Sequence, residues 1–150
     1  MLRQRLMPLR ALIGAGVCAS ALLLLPGCSS NSESSARTAA VVHVTARDFR
    51  ITVSPARVDA GDVRLVLRNK GPDTHELIIV RTGKTRLPLR PDGLTVDEEA
   101  LDRVTVGTAE GTGPGVVHTL RLHLGPGRYE LFCNMAGHYM GGMRAELVVT

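Results

Sequence analysis

Near its C-terminal end the chain reads Phe132-Cys133-Asn134-Met135-Ala136-Gly137-His138-Tyr139-Met140-Gly141-Gly142-Met143. Four residues separate Cys133 from His138, and four more separate His138 from Met143. A further histidine, His75, stands far upstream at the head of the apolar run Leu77-Ile78-Ile79-Val80. Two imidazole nitrogens, one thiolate and one weak thioether sulfur are the donor set of a mononuclear copper electron-transfer site. Little else in the chain carries chemistry.

The elements that would hold these side chains read as strands. Apolar, β-branched stretches run over 41–46, 49–53, 63–69, 74–80, 116–124, 127–133 and 143–149, and most are bounded by Gly, Pro, Asn or Asp. Seven short strands predict an all-β chain, a sandwich or Greek-key barrel. Residues 95–104 suit one short helix, with acids near its start. The stretch Gly107 to Gly115 reads as a glycine-rich loop. Side chains alternate across a strand, so parity says which way each candidate points. His75 shares a face with Leu77 and Ile79, Cys133 with Leu131 and Tyr129, and Met143 with Ala145, Leu147 and Val149. All three therefore fall on inward faces at strand ends. By the same test His123 is solvent-exposed, and His118 is a satisfied histidine at the edge of the core. No second metal site is expected from these two and His43.

Charge and cysteine usage narrow the setting. The chain has 150 residues, enough for one domain with a real core, and only 3% aromatic residues, so that core must be aliphatic. The net charge of +4 does not mark a nucleic-acid binder. Arg3, Arg5 and Arg10 lie in the first ten residues, and without them fifteen basic side chains face fourteen acidic ones. That basic start precedes an uncharged apolar run, Ala11 to Leu25, too short for a spanning helix and shaped like a secretory signal. Leu25-Pro26-Gly27-Cys28 resembles the lipobox of bacterial lipoproteins, which implies a signal peptide over 1–27 and lipidation at Cys28. Residues 28–40, rich in serine, read as a flexible tether, and the folded domain is expected over 41–150. The domain would be exported and lipid-anchored to the outer face of the cell membrane or in the periplasm. Of three cysteines, Cys18 is then lost with the leader and Cys28 is blocked. Cys133 is left as a lone thiol in an oxidising compartment, and a bound metal is the simplest reason for it to persist.

The segment Tyr129 to Met143, with His75 in its Thr-His-Glu-Leu run, resembles the cupredoxin (blue copper) family. The match is to members with a Cys-x4-His-x4-Met ligand loop, the rusticyanin-like and auracyanin-like proteins. The resemblance implies a Greek-key β-sandwich of seven to eight strands. It implies one type 1 copper held by His75, Cys133 and His138, with Met143 as the long axial ligand. It also implies an exposed edge of His138 through which electrons pass, ringed by Met135, Ala136, Tyr139 and Met140. Two positions depart from the family pattern. Ala136 replaces a proline often found before Gly-His, and Glu76 replaces an asparagine that ties the two ligand loops together.

The reading that follows is a membrane-tethered carrier of single electrons between transient redox protein partners, monomeric and not an enzyme. The alternative is a copper-binding or delivery protein using the same ligands. A catalytic or dinuclear copper domain is disfavoured. Gly137 occupies the place of the second loop cysteine that a dinuclear centre needs, and the chain has no His-x-His pair for further metals.

Overall fold

The computed structural model describes residues 38–83 and 86–150. The leader, the proposed lipidation site Cys28 and most of the tether lie outside the described residues. Nine strands are found among the described residues: β1 (Ala40–Arg47), β2 (Arg50–Ser54), β3 (Arg57–Val58), β4 (Gly61–Asn69), β5 (His75–Arg81), β6 (Thr105–Thr112), β7 (Val117–Leu124), β8 (Gly127–Phe132) and β9 (Arg144–Val149). They form two sheets, of order β2-β1-β4-β7 and β3-β9-β8-β5-β6. Pairing is antiparallel except for β1 with β4 and β3 with β9. The result is an all-β sandwich of two mixed sheets.

Alternation builds the space between the sheets. On β1, Val42, Val44 and Ala46 are buried while His43 and Arg47 face water, and on β4 Val63, Leu65 and Leu67 repeat the pattern. Across from them the second sheet contributes Leu77, Ile79, Leu131, Leu147 and Val149. The core is aliphatic, as the scarcity of aromatic residues requires. Burying each Leu or Val contributes about 1.5–3 kcal/mol against leaving it in water.

Two local expectations change. The glycine-rich stretch is largely strand β6, the edge partner of β5, and only its end past Thr112 is loop. Gly107 is not there for a turn. A Cβ on it would lie 2.9 Å from the Leu122 side chain of the opposite sheet, so the glycine permits a close backbone approach. The helix shrinks to a single 3-10 turn, Glu99–Leu101, whose Leu101 is buried.

β5 is apolar on both faces, and the second face has its own cover. Ile78 and Val80 join Phe132, Leu87, Val96, Leu101 and Tyr139 in a cluster on the outer side of the second sheet. The chain between β5 and β6 thus lies over β5 and β8. Tyr139 sits edge-on to Phe132, with ring centroids 5.5 Å apart. Its hydroxyl accepts from the Leu87 N–H and from Arg144 Nη1, and donates to Glu130 Oε1. The Arg144 guanidinium lies 5.0 Å over the Tyr139 ring.

Glu130 is tied into this cover. Burial, above all, holds its carboxyl above the ordinary value, and the Glu146 charge adds to this; the Tyr139 hydrogen bond and the Arg144 charge oppose it. The folded protein therefore keeps a proton that the unfolded chain releases. The stability this provides is complete below the ordinary carboxylate range and is lost as pH rises through the folded value. Glu130→Gln removes that dependence. The melting temperature of the variant relative to wild type should therefore rise as pH is increased from below the ordinary carboxylate range through the raised folded value. A pH-independent difference would mean that Glu130 ionisation is not linked to folding.

Candidate metal centre

The adjacency of β5, β8 and β9 brings three candidate residues to one end of the second sheet. His75 is the first residue of β5, Cys133 follows the last residue of β8, and Met143 immediately precedes β9. The loop between Cys133 and Met143 is closed by backbone bonds. The Cys133 N–H donates to the Met143 carbonyl (3.1 Å), the Met143 N–H to the His138 carbonyl (2.9 Å), and the His138 N–H to the Met135 carbonyl (2.8 Å). Gly142, with φ +98°, turns the chain back into β9, a conformation that side chains resist.

The donor atoms of His75, Cys133 and His138 all lie within 4.8 Å of one another. Cys133 Sγ is 3.5 Å from His138 Nδ1, and the two imidazole centroids are 5.3 Å apart. Bonds of about 2.0–2.3 Å from a first-row metal to nitrogen and sulfur put neighbouring donors roughly 3.5 Å apart, so the spacing suits one shared ion. Met143 is completely buried, in the same cluster as Cys133.

The protonation of His75 makes the fit more specific. Its Nε2 is 3.1 Å from Asp48 Oδ1. A carboxylate only accepts, so this contact places a hydrogen on Nε2, and in the neutral imidazole Nδ1 is then the nitrogen with the lone pair. That Nδ1 is buried and has no hydrogen-bond partner among the described residues. An orphaned acceptor in a dry site normally costs about 1–3 kcal/mol, and a cation in front of it removes the cost. The Cys133 thiol is pushed above its ordinary value, chiefly by burial and also by the Glu76 charge. The backbone N–H groups of Glu76 and Met135 point at the sulfur and act the other way. A thiol so placed becomes a thiolate when a metal displaces its proton.

The surroundings hold residues that sequence reasoning read differently or missed. Glu76 is outside the ligand group. Its carboxyl accepts the backbone N–H of Asn134, so it makes the link between the two ligand loops that an asparagine would make; burial and the Glu98 charge raise its pKa. Asn134 was missed. Its side chain, 7% exposed, accepts from the Val96 N–H (2.5 Å) and donates to the Val96 carbonyl (3.0 Å) and Glu98 Oε1 (2.6 Å), stitching the covering segment to the ligand loop. Its signal was a polar amide in an otherwise apolar stretch beside the cysteine. Tyr139 is not part of the ring around His138. It is 3% exposed and turned into the outer cluster, while Met135 and Met140 remain exposed at 40% and 49%. Phe49 takes its place, with its ring centroid 5.0 Å from that of His138. His123 is exposed and pairs with Asp62 (2.8 Å), as parity indicated. His118 is half-buried, but its Nε2 has no partner among the described residues and so is not satisfied.

Comparison with solved structures follows this geometry. Auracyanin from the photosynthetic bacterium Roseiflexus castenholzii superposes with a TM-score of 0.56 at 19% identity, over 75% of this chain and 98% of its own. Auracyanin A, a "blue" copper protein of Chloroflexus aurantiacus, gives 0.56 at 16% identity, covering 75% and 100%. This is a cupredoxin fold. Rusticyanin from Thiobacillus ferrooxidans shares it, with a TM-score of 0.52 at 18% identity over 75% of this chain and 79% of its own. No family model and no curated protein matches the chain by sequence. Within this fold the donor atoms of His75, Cys133 and His138 meet at one end of the second sheet, with Met143 buried in the same cluster as Cys133.

The Asn134 link can be tested directly. Asn134→Ala leaves the Val96 N–H and carbonyl buried without partners, and should cost about 1–3 kcal/mol of stability in denaturant titration. A loss within error of zero would show that the covering segment is held by its apolar contacts alone.

Proposed function

We propose that this protein is an exported type 1 copper protein, tethered to a membrane through lipidated Cys28, that carries single electrons between transient protein partners. The observation that carries the reading is the meeting of donor atoms of His75, Cys133 and His138, with His75 Nδ1 buried and without a hydrogen-bond partner among the described residues. His75, Cys133 and His138 would supply the strong donors, and Met143 a soft, weak one from within the core. Bound copper supplies a one-electron Cu(II)/Cu(I) couple. The chain's part is to hold the donors still. The loop's backbone bonds and the burial of three of the four ligands leave little freedom to rearrange when the charge changes. His138, half-buried among exposed Met135, Met140 and Phe49, is the ligand nearest solvent. A small apolar surface of this kind suits weak, brief docking.

The test is metal analysis, a visible spectrum and voltammetry of the purified full-length protein. The carrier reading expects one copper per chain, an intense colour in the Cu(II) form and a reversible one-electron wave. Cys133→Ser should abolish the colour with the fold retained by circular dichroism. Copper that is colourless, or that a mild chelator removes at once, would favour copper delivery and sink the carrier reading.

A further inference from the structure

The turn between β1 and β2 consists of two residues, Asp48 and Phe49, between the paired Arg47 and Arg50. Each touches one of the ligand imidazoles. Asp48 Oδ1 meets His75 Nε2 at 3.1 Å, and the Phe49 ring packs on His138 with its plane tilted by 52°. Phe49 adopts a left-handed backbone, φ +56°, which is costly for a bulky residue and persists only when its surroundings hold it. Two glycines make room for the pair. A Cβ on Gly71 would fall 2.7 Å from Asp48 Oδ1 and 3.2 Å from His75 Nε2, and a Cβ on Gly141 would fall 2.3 Å from Phe49 Cδ1. The Gly71 turn is itself pinned. Buried Asn69 accepts the Gly71 N–H (2.8 Å) and donates to the Asp73 and Thr112 carbonyls, while the Lys70 N–H reaches the Ala46 carbonyl at the end of β1. Two separate turns are thus built around the Asp48–His75 contact.

From this we infer that Asp48 is a positioning residue for the copper centre: it locks the His75 ring with Nδ1 toward the metal, and its carboxylate favours Cu(II) over Cu(I). The inference rests on the copper reading above. A metal-bound histidine whose other ring nitrogen donates to a carboxylate is a more basic ligand with a fixed orientation. Of the two oxidation states, the one carrying the extra positive charge gains more from a nearby anion. The side chain of His75 is fully buried and that of Asp48 is 32% exposed, so the charge is partly screened by water without being cancelled.

The experiment compares wild type, Asp48→Asn and Asp48→Ala as full-length proteins. Asp48→Asn keeps an acceptor of the same size without the charge, and Asp48→Ala removes both. In the metal-free wild type the His75 Nε2–H should give a downfield, slowly exchanging NMR signal, which disappears in Asp48→Ala. With copper bound, both variants should remain coloured. The ratio of Cu(II) to Cu(I) affinity should fall about tenfold in Asp48→Asn, a rise of ~59 mV in the one-electron potential. Asp48→Ala should in addition bind Cu(II) more weakly and change its electron paramagnetic resonance spectrum. Unchanged potentials in both variants, in a wild type that is blue, would overturn the inference and leave the copper reading intact. A wild type that takes up no copper removes the copper reading and the inference with it, even where the NMR signal confirms the contact.

Discussion

The hydrogen bond from the Cys133 N–H to the Met143 carbonyl closes the ligand loop, and the site depends on it. It continues the pairing of β8 with β9 by one step past Phe132 and Arg144, so the geometry of a rigid ladder extends into the loop. Within that closure the His138 main chain is fixed at both its N–H and its carbonyl. β5 enters from the other side of β8, registered through Ile78 and Phe132, and delivers His75 to the same end. Three ligand positions on three adjacent strands of one sheet cannot drift apart without breaking a ladder.

The same sheet must be dry on both sides, because β5 and β8 carry large apolar residues outward as well as inward. The segment between β5 and β6 supplies the outer cover, and its polar backbone needs partners there. Asn134 serves the Val96 peptide on both sides, and the Tyr139 hydroxyl serves the Leu87 N–H. Both come from the ligand loop, so the residues that secure the cover also stiffen the site. Electrostatics adds to this coupling. Burial holds the Cys133 thiol and the Glu76 carboxyl toward their neutral forms, and Asp48 leaves His75 with a bare inward nitrogen. A pocket that disfavours its own thiolate and, among the described residues, offers no donor to its imidazole is incomplete until a cation enters.

Much of the site was legible in the chain because its logic is local. A period of two decides which way His75, Cys133 and Met143 face, and that period depends only on each strand's own sequence. The loop spacing likewise limits where His138 can stand relative to Cys133. Leu77 and Ile79 inward with His75, and Leu131 with Cys133, follow from the same rule and match the inner core. The readings that changed concern residues whose places are set by distant partners. β6 contains two glycines, Gly107 and Gly111, and looked like loop until β5 was available to pair with it. Tyr139 looked like surface until Phe132 and the covering segment offered it a buried position.

Local alternation and composition thus specified an aliphatic β-sandwich with a thiol, an imidazole and a thioether turned inward at strand ends. Only the tertiary structure decided what stands behind those donors. Asp48 and Phe49 reach the two histidines because the β1–β2 turn packs beside the ligand loop, and Gly71 and Gly141 leave the space for it. Asn134 reaches Val96 because the cover folds back over the sheet. Such contacts join residues far apart in the chain, and no local periodicity encodes them. They arise when two sheets with complementary apolar faces close on each other and every buried polar group must find a partner.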